Sequence, residues 1–412
     1  NADMKNISGG VTSAKGFKAY GLRAGIKAGK TNRDMAMVYS AEPAVCAGVF
    51  TKNKVKAGPV KWDSFIVENS ETVNAVVVNT GIANAGTGQQ GFENARRMSE
   101  YTAEILGLEK PEQVFSASTG VIGKQLPMDI IEKGIRELVP MLSDSEEAGN
   151  LAAEAILTTD TRKKQYAVQF EIDGKTVTIG AMCKGSGMIH PNMGTMLSFI
   201  CTDIAIDKKL LQEALVNDVE YTYNMVSVDG DTSTNDSVLV LANGLAGNSR
   251  ITEKNHDYEI FCQALREVNT YLAKRIAEDG EGATKLFQVI VENAPSLNDA
   301  RILSKAVVSS NLTKAAVFGN DANCGRVLCA MGYSGAEFDP DKTDIQFESV
   351  NGTIVLVENG LTLDFDEKKA IKVLSADEVT ARIDVKCGSS TATAWGCDLT
   401  HEYVSINADY RS

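Results

Sequence analysis

The sequence has little of what would tie it to a membrane, a metal ion or a nucleic acid. No apolar run reaches the roughly 18 residues a membrane span needs, and the opening "NADMKNISGGVTSAKGF" lacks both the apolar stretch of a secretion signal and the Arg-rich pattern of a transit peptide. Lys and Arg number 41 against 54 Asp and Glu, a net charge of −13. A general basic surface for nucleic acid or anionic lipid is therefore excluded, and an anionic substrate needs local basic residues. The eight cysteines are scattered, with no Cys-x-x-Cys pair and no zinc spacing to the three histidines, which points to reduced thiols rather than disulfides or a metal site. Internal repeats and low-complexity linkers are also absent. The expectation is a cytoplasmic protein with no metal and no membrane or nucleic-acid partner.

What is present is 43% hydrophobic residues, enough in 412 residues to bury a sizeable core although only 6% are aromatic. Strand-length apolar runs alternate with helix-length periodic segments, which predicts an α/β protein. The strands are expected at Asn74–Gly81, Lys175–Cys183, Asp236–Gly244 and Phe287–Ala294. The helices are expected at Glu93–Leu108, Met128–Leu142, Lys208–Val226 and Tyr258–Gly280, the last with an apolar stripe of Ile260, Leu265, Val268, Leu272 and Ile276. From Asn298 the texture shifts to a helix followed by short strands, with a hairpin signal at Asn351-Gly352. Residues 1–297 read as a main α/β domain and residues 298–412 as a smaller α+β one.

Four stretches hold residues of chemical interest. In "KGSGMIHPNMGTMLSFICTD" (Lys184–Asp203), Gly194-Thr195 leads straight into an apolar run. The plain structural reading is a threonine starting a buried strand, but the surrounding glycines and Pro191 suit a strained, scissile peptide bond. If the Thr195 hydroxyl attacks the Gly194 carbonyl, an N-to-O acyl shift and hydrolysis free an amine on Thr195, whose reference pKa of roughly 7.7–8.0 suits a general base. "SASTGVIG" (Ser116–Gly123) reads either as a small-residue turn or as an oxyanion hole built from a backbone N–H and a threonine hydroxyl. In "SVDGDTSTNDSV" (Ser227–Val238), Asp229, Asp231, Ser233 and Asn235 imitate a calcium loop. Thr234 stands where that loop needs glycine and Val240 where it needs a carboxylate, so a hydrogen-bonded loop beside a site is the better reading. In "EDGEGATKL" (Glu278–Leu286), Glu281 is either a solvated turn residue or a partner for a substrate ammonium, and Lys184 is the matching candidate for a substrate carboxylate.

These stretches, with "KGFKAYGLRAGIK", "AGVFTKNKVKAGPV", "TTDT", "GYSG", "TATAWGCDLT" and the terminal "INADYRS", run collinearly along nearly the whole chain. Together they resemble the glutamate N-acetyltransferase, or ornithine acetyltransferase, family of arginine biosynthesis. The resemblance implies autocleavage between Gly194 and Thr195, giving an α chain of residues 1–194 and a β chain of residues 195–412. Thr195 would be the nucleophile, Thr119 and Gly120 the oxyanion hole, and Thr158, Lys184, Thr195, Glu281, Asn407 and Ser412 the substrate contacts. It implies a layered αββα-type sandwich like that of N-terminal-nucleophile hydrolases in architecture but not in topology. It also implies no cofactor, an α2β2 assembly, and ping-pong transfer of acetyl from N-acetylornithine to glutamate, releasing ornithine and N-acetylglutamate; whether acetyl-CoA is a further donor stays open. The rival readings are a self-processed aminopeptidase or amidase, in which water deacylates the enzyme, and an amino-acid-binding regulator without turnover. Gly194, His190, Ile82, Gly86 and Cys324 depart from the usual family pattern.

The Thr195 assignment predicts two fragments on a denaturing gel, with Thr-Met-Leu-Ser at the new amino terminus on Edman sequencing. Thr195→Ala should stay one chain and be inactive. A cleaved, active variant rules the assignment out.

Overall fold

The computed structural model describes residues 3–27, 29, 31–185, 196–227, 235–280 and 282–409, excluding the side chains of residues 407 and 409. The chain divides into two compact units, residues 1–219, 232–272 and 412 in the first and residues 220–231 and 273–411 in the second. In the first, β1 (Lys5–Ile7), β2 (Phe17–Leu22) and β3 (Met35–Phe50) precede α1 (Gly58–Asn69), β4 (Thr72–Asn79), α2 (Gly88–Leu106) and β5 (Val114–Ser118). Then come α3 (Met128–Leu138), α4 (Glu146–Ala155), β6 (Lys164–Ile172), β7 (Lys175–Lys184), β8 (Leu197–Thr202), α5 (Lys208–Tyr221), β9 (Ser237–Ala242) and α6 (His256–Glu278). Among the described residues these strands form one nine-stranded sheet, ordered β1-β6-β7-β8-β9-β3-β4-β5, with β2 also on β3.

The sheet is buried on both faces, and this is why its strands read as unbroken apolar runs. Alternate residues of β3 and β4 enter different clusters. Ala36, Val38, Val76 and Val78 meet Trp62 and Ile66 of α1 and Ala152 and Ala155 of α4. Met35, Met37, Ala75 and Val77 meet Met98 of α2 and Ile131, Ile135 and Leu138 of α3. This is the layered α/β architecture expected. The sequence reading missed the 16-residue β3, whose pairing with β4 breaks between Tyr39 and Ala44. Pro43 lies in that break, where a residue without an N–H does least damage to the ladder. Beyond it the strand continues as the partner of β9.

The helical expectations differ in detail. α5 stops at Tyr221, and a 3-10 turn over Tyr223–Met225 takes the place of the continuation to Val226. In α6 the buried line runs through Phe261, Leu265, Val268, Leu272 and Ile276, whereas Ile260 is only half-buried.

The second unit contains β10 (Leu286–Ala294), α7 (Leu297–Ser309), α8 (Asn311–Phe318), α9 (Cys324–Gly332), β11 (Asp344–Ser349), β12 (Gly352–Glu358) and β13 (Leu361–Thr362). α10 (Glu367–Leu374), β14 (Glu378–Asp384), β15 (Ser390–Cys397) and α11 (His401–Asp409) complete it. Its six strands are ordered β13-β12-β11-β14-β10-β15 among the described residues. The unit begins earlier than the residue 298 suggested by texture, because β10 lies between β14 and β15 in this sheet. The expected hairpin is β11–β12, with Val350-Asn351 as its loop and Gly352 pairing Ser349.

One buried acid guards the free edge of the first sheet. β5 is the terminal strand, and its Ser116 N–H is accepted by Asp63 Oδ1 of α1 at 2.9 Å, so one donor of that edge is satisfied within the unit. Asp63 is 1% exposed, and its Oδ2 has no hydrogen-bond partner among the described residues. Burial pushes this carboxyl well above its usual range, against the opposing pull of the Ser116 N–H. A carboxyl with a raised folded pKa contributes stability below the unfolded value of about 3.9 and loses it as pH rises towards the folded one. Asp63→Asn keeps the acceptor and removes the titration. Urea midpoints at pH 5 and pH 8 should therefore fall less in Asp63→Asn than in the native protein; equal falls mean that Asp63 is not held neutral.

Candidate active site

The parallel strands β4 and β5 end together at the pair Asn79 and Ser118, and open α/β sheets place their sites beyond such carboxyl ends. The two chains stay in contact past the strands. The Thr119 N–H donates to Asn79 O at 3.2 Å, the Val121 N–H to Gly81 O at 3.2 Å, and the Ala83 N–H to Val121 O at 2.9 Å. Between these contacts Gly120 has φ +133°, and a Cβ there would lie 2.3 Å from the Gly81 carbonyl carbon, so no other residue fits. Gly120 is buried and its N–H has no acceptor among the described residues. Such a donor is held ready for a ligand.

The Thr119 side chain, 1% exposed, lies next to it. Its Oγ1 accepts from Lys184 Nζ at 3.3 Å, which leaves the hydroxyl hydrogen to be donated elsewhere. Lys184, 1% exposed, is the last residue of β7 and pairs in register with Leu197, two residues after Thr195 in sequence. Behind it lies Asp160, whose side chain is fully buried. Asp160 accepts from Lys164 Nζ at 2.7 Å, from the Gly185 N–H at 3.0 Å and from the Thr158 N–H at 3.4 Å, and stands 3.9 Å from Lys184 Nζ. Burial opposes its ionisation, but Lys184 and Lys164, together with the bonds from Lys164 and Gly185, outweigh burial and hold its carboxyl below the usual range. The Lys184 ammonium, held 3.3 Å from Thr119 Oγ1, favours negative charge developing beside that hydroxyl.

Two neighbouring side chains on the approach to β9 join this loop to the strand that follows Thr195. Asn235 Nδ2, 2% exposed, donates to Ala83 O at 2.8 Å and to Ser118 O at 3.0 Å. Asp236 Oδ1 accepts the Met196 N–H at 2.9 Å. The loop at Asn235 is thus hydrogen-bonded beside the site. Asp229, Asp231 and Ser233 lie outside the described residues, among which no group of three or more His, Cys, Asp or Glu is placed to hold a metal.

The structure brings Thr119, Gly120, Thr158 and Lys184 to one place in the first unit. Thr195, Gly194, Glu281 and Ser412 lie outside the described residues, and Asn407 falls in α11 of the second unit with its side chain undescribed. In that unit the loop after residue 281 and the start of α11 are neighbours. Thr400 Oγ1 donates to Gly282 O at 2.6 Å, and a Cβ on Gly282 would lie 2.5 Å from the Tyr403 nitrogen. Sequence reasoning missed Asp160, Lys164 and Asp236. Asp160 stood inside the quoted "TTDT", with Lys164 four residues on, but nothing along the chain pairs either with Lys184.

The family model described as "ArgJ family" matches residues 18–412. The chain belongs to the ArgJ family. It is similar to "Arginine biosynthesis bifunctional protein ArgJ 1" of Clostridium acetobutylicum, 51% identical over 402 residues, 98% of this chain and 97% of the relative. The protein called "Arginine biosynthesis bifunctional protein ArgJ" in Symbiobacterium thermophilum is 52% identical over 410 residues, 99% of this chain and all of that one. A crystal structure of the arginine biosynthesis bifunctional protein argJ of Bacillus halodurans is 44% identical, covers 52% of this chain and 98% of its own, and has a TM-score of 0.49.

For this ArgJ-family chain the Asp160 cluster carries a pH-dependent share of stability. A carboxylate with a lowered folded pKa contributes above the unfolded value of about 3.9, and the contribution is lost as pH falls through the folded one. Asp160→Asn removes the buried carboxylate that Lys164 and Lys184 both face and should cost about 3–5 kcal/mol at pH 7 in urea unfolding, with the difference from the native protein shrinking below about pH 4. A loss under about 1 kcal/mol would show that the cluster is not the clamp described.

Proposed function

We propose that the chain transfers acetyl from N-acetylornithine to glutamate through an acetyl ester on Thr195, yielding ornithine and N-acetylglutamate. It is an arginine-biosynthesis enzyme of the ornithine acetyltransferase type. The observation that carries the mechanism is the buried Gly120 N–H, without an acceptor among the described residues, beside a Thr119 hydroxyl whose oxygen accepts from Lys184. That pair suits a tetrahedral intermediate, whose oxyanion accepts from both groups with the Lys184 ammonium close behind Thr119.

In the first half-reaction the Thr195 hydroxyl oxygen attacks the acetyl carbonyl and the freed Thr195 amine takes its proton. Collapse of the intermediate breaks the amide bond, and the same proton passes to the departing ornithine amine. In the second half the glutamate amine attacks the ester and Thr195 is regenerated. An amide is exchanged for a like amide, so the overall driving force is small and two short steps replace one difficult one. Acetyl-CoA is proposed as a further donor, since its thioester is opened by the same attack. The remaining proposals are Thr158, Lys184, Glu281, Asn407 and Ser412 as substrate contacts, the α2β2 assembly of cleaved chains, operation without a cofactor, and a cytoplasmic setting. Among the described residues no helix is long and apolar enough to cross a membrane.

Incubation with N-acetylornithine, with and without glutamate, tests the reading. Acetyl should move to glutamate, and free acetate should stay minor; release of acetate independent of glutamate identifies an amidase instead. Thr119→Ala should lower kcat about 10²-fold or more with a smaller change in KM, because the oxyanion exists only in the transition state. Equal losses in both would make Thr119 a ground-state contact.

A further inference from the structure

An acidic protein that handles anions needs local positive charge, and one such region stands apart from the Lys184 cluster. Residues 51–62, "TKNKVKAGPVKW", hold four lysines and no acidic residue, and residues 79–91, "NTGIANAGTGQQG", hold no charged residue at all. The two segments enclose a cavity of about 180 Å³ lined by Lys54, Lys56, Lys61, Gly58, Gly86 and Gly88, with Val55 and Thr87 completing the wall. Lys54, Lys56 and Lys61 are exposed, and none of their side chains makes a hydrogen bond or ion pair among the described residues. Three like charges crowded round one hollow repel each other until an anion enters.

The backbone at the same hollow is left open as well. α2 starts at Gly88 with no acidic residue in its first turn, and its cap residue Thr87 gives its hydroxyl to Asn84 Oδ1 at 2.8 Å instead of accepting from the helix. The first N–H groups of α2 therefore lack a side-chain acceptor, and the helix dipole adds positive potential there. A Cβ on Gly88 would meet no heavy atom within 4 Å, so the opening is clear. The floor is fixed by the packed cluster of Ala57, Val60, Ala83 and Ala85 with Ile122 against it.

The geometry points to a phosphate-binding site, made by Lys54, Lys56, Lys61 and the start of α2, that takes the phosphate of a nucleotide-bearing ligand or free phosphate. The volume suits one phosphate group rather than a whole small-molecule ligand, whose pocket takes about 300 Å³ or more. Three cations suit a phosphate's multiple charge better than a single carboxylate, and lysines bind phosphate as point charges. Gly86 lies against the chain that follows Gly120: the Gly123 N–H donates to Ala85 O at 2.8 Å, and a Cβ on Gly86 would lie 3.5 Å from Ile122 Cγ2. From Gly86 back to Gly81, beneath Gly120, is five residues, at most about 18 Å of chain. A ligand held here by its phosphate can thus be long enough to reach the Gly120 donor.

The inference goes beyond the acetyl-transfer reading and is measured by binding without turnover, so either can fail alone. Calorimetric titration of the full chain with 3′,5′-ADP and, separately, with inorganic phosphate should show saturable binding that weakens with added salt. The triple variant Lys54→Gln/Lys56→Gln/Lys61→Gln should weaken it about tenfold or more, one lost charge-assisted contact being enough for that factor. Lys18→Gln/Lys133→Gln/Lys175→Gln, with the same change in net charge elsewhere, should leave it unchanged. Tighter binding of 3′,5′-ADP than of inorganic phosphate assigns the site to an ester-linked phosphate, and equal binding assigns it to the free ion. No saturable binding of either probe, or equal weakening in the two triple variants, overturns the site.

Discussion

The buried Asp160 carboxylate between Lys164 and Lys184 is the interaction on which the candidate site depends. It gathers the loop at Thr158, the first residue of β6, the last residue of β7 and the Gly185 N–H around a side chain with no exposure. Burial alone would push its carboxyl up, and Lys184 and Lys164 outweigh burial and hold it below the usual range. Its consequence is local and chemical: Lys184 is held where it donates to the Thr119 oxygen, so that the hydroxyl hydrogen is left to be donated elsewhere.

A second constraint is steric. The chains leaving β4 and β5 run so close that Gly120 cannot carry a side chain, and this closeness uses the Thr119 N–H within the loop while leaving the next N–H without an acceptor among the described residues. Asn235 and Asp236 tie that loop and Met196 to the same short stretch before β9. The Asn235-Asp236 dipeptide thereby ties the Gly120 loop to Met196, the residue just before β8. The lysine-lined hollow is built from the other end of the same 79–91 loop. A single glycine-rich connection thus serves two kinds of anion chemistry.

Much of the secondary structure was legible in the chain because the physics is local. The runs at Asn74–Gly81 and Lys175–Cys183 are apolar on both faces and became β4 and β7 within two residues at each end. α3 starts at Met128 as read, and α7, from Leu297, is the helix expected from Asn298. β3 was missed because Pro43 and Glu42 break its pattern, and only pairing with β4 and β9 on either side of the break makes it one strand. The border of the second unit was misjudged for the same reason: β10 is a plain apolar run, and nothing in it states which sheet it joins.

By itself the sequence determined what needs only neighbours in the chain: the helix stripes, the apolar strands, and the family, carried by many collinear motifs. It also marked Thr119 and Gly120, because a threonine followed by glycine after a strand is a local pattern. The tertiary structure alone decided which charges meet. Asp160 and Lys184 are separated by 24 positions, Thr119 and Lys184 by 65, and a pairing that depends on sheet register leaves no periodic trace along the chain. Likewise Lys54, Lys56 and Lys61 are ordinary surface charges until residues 79–91 fold against them. The reason is the same in both cases, since electrostatic interaction depends on distance in space and on burial, and neither is a property of sequence position.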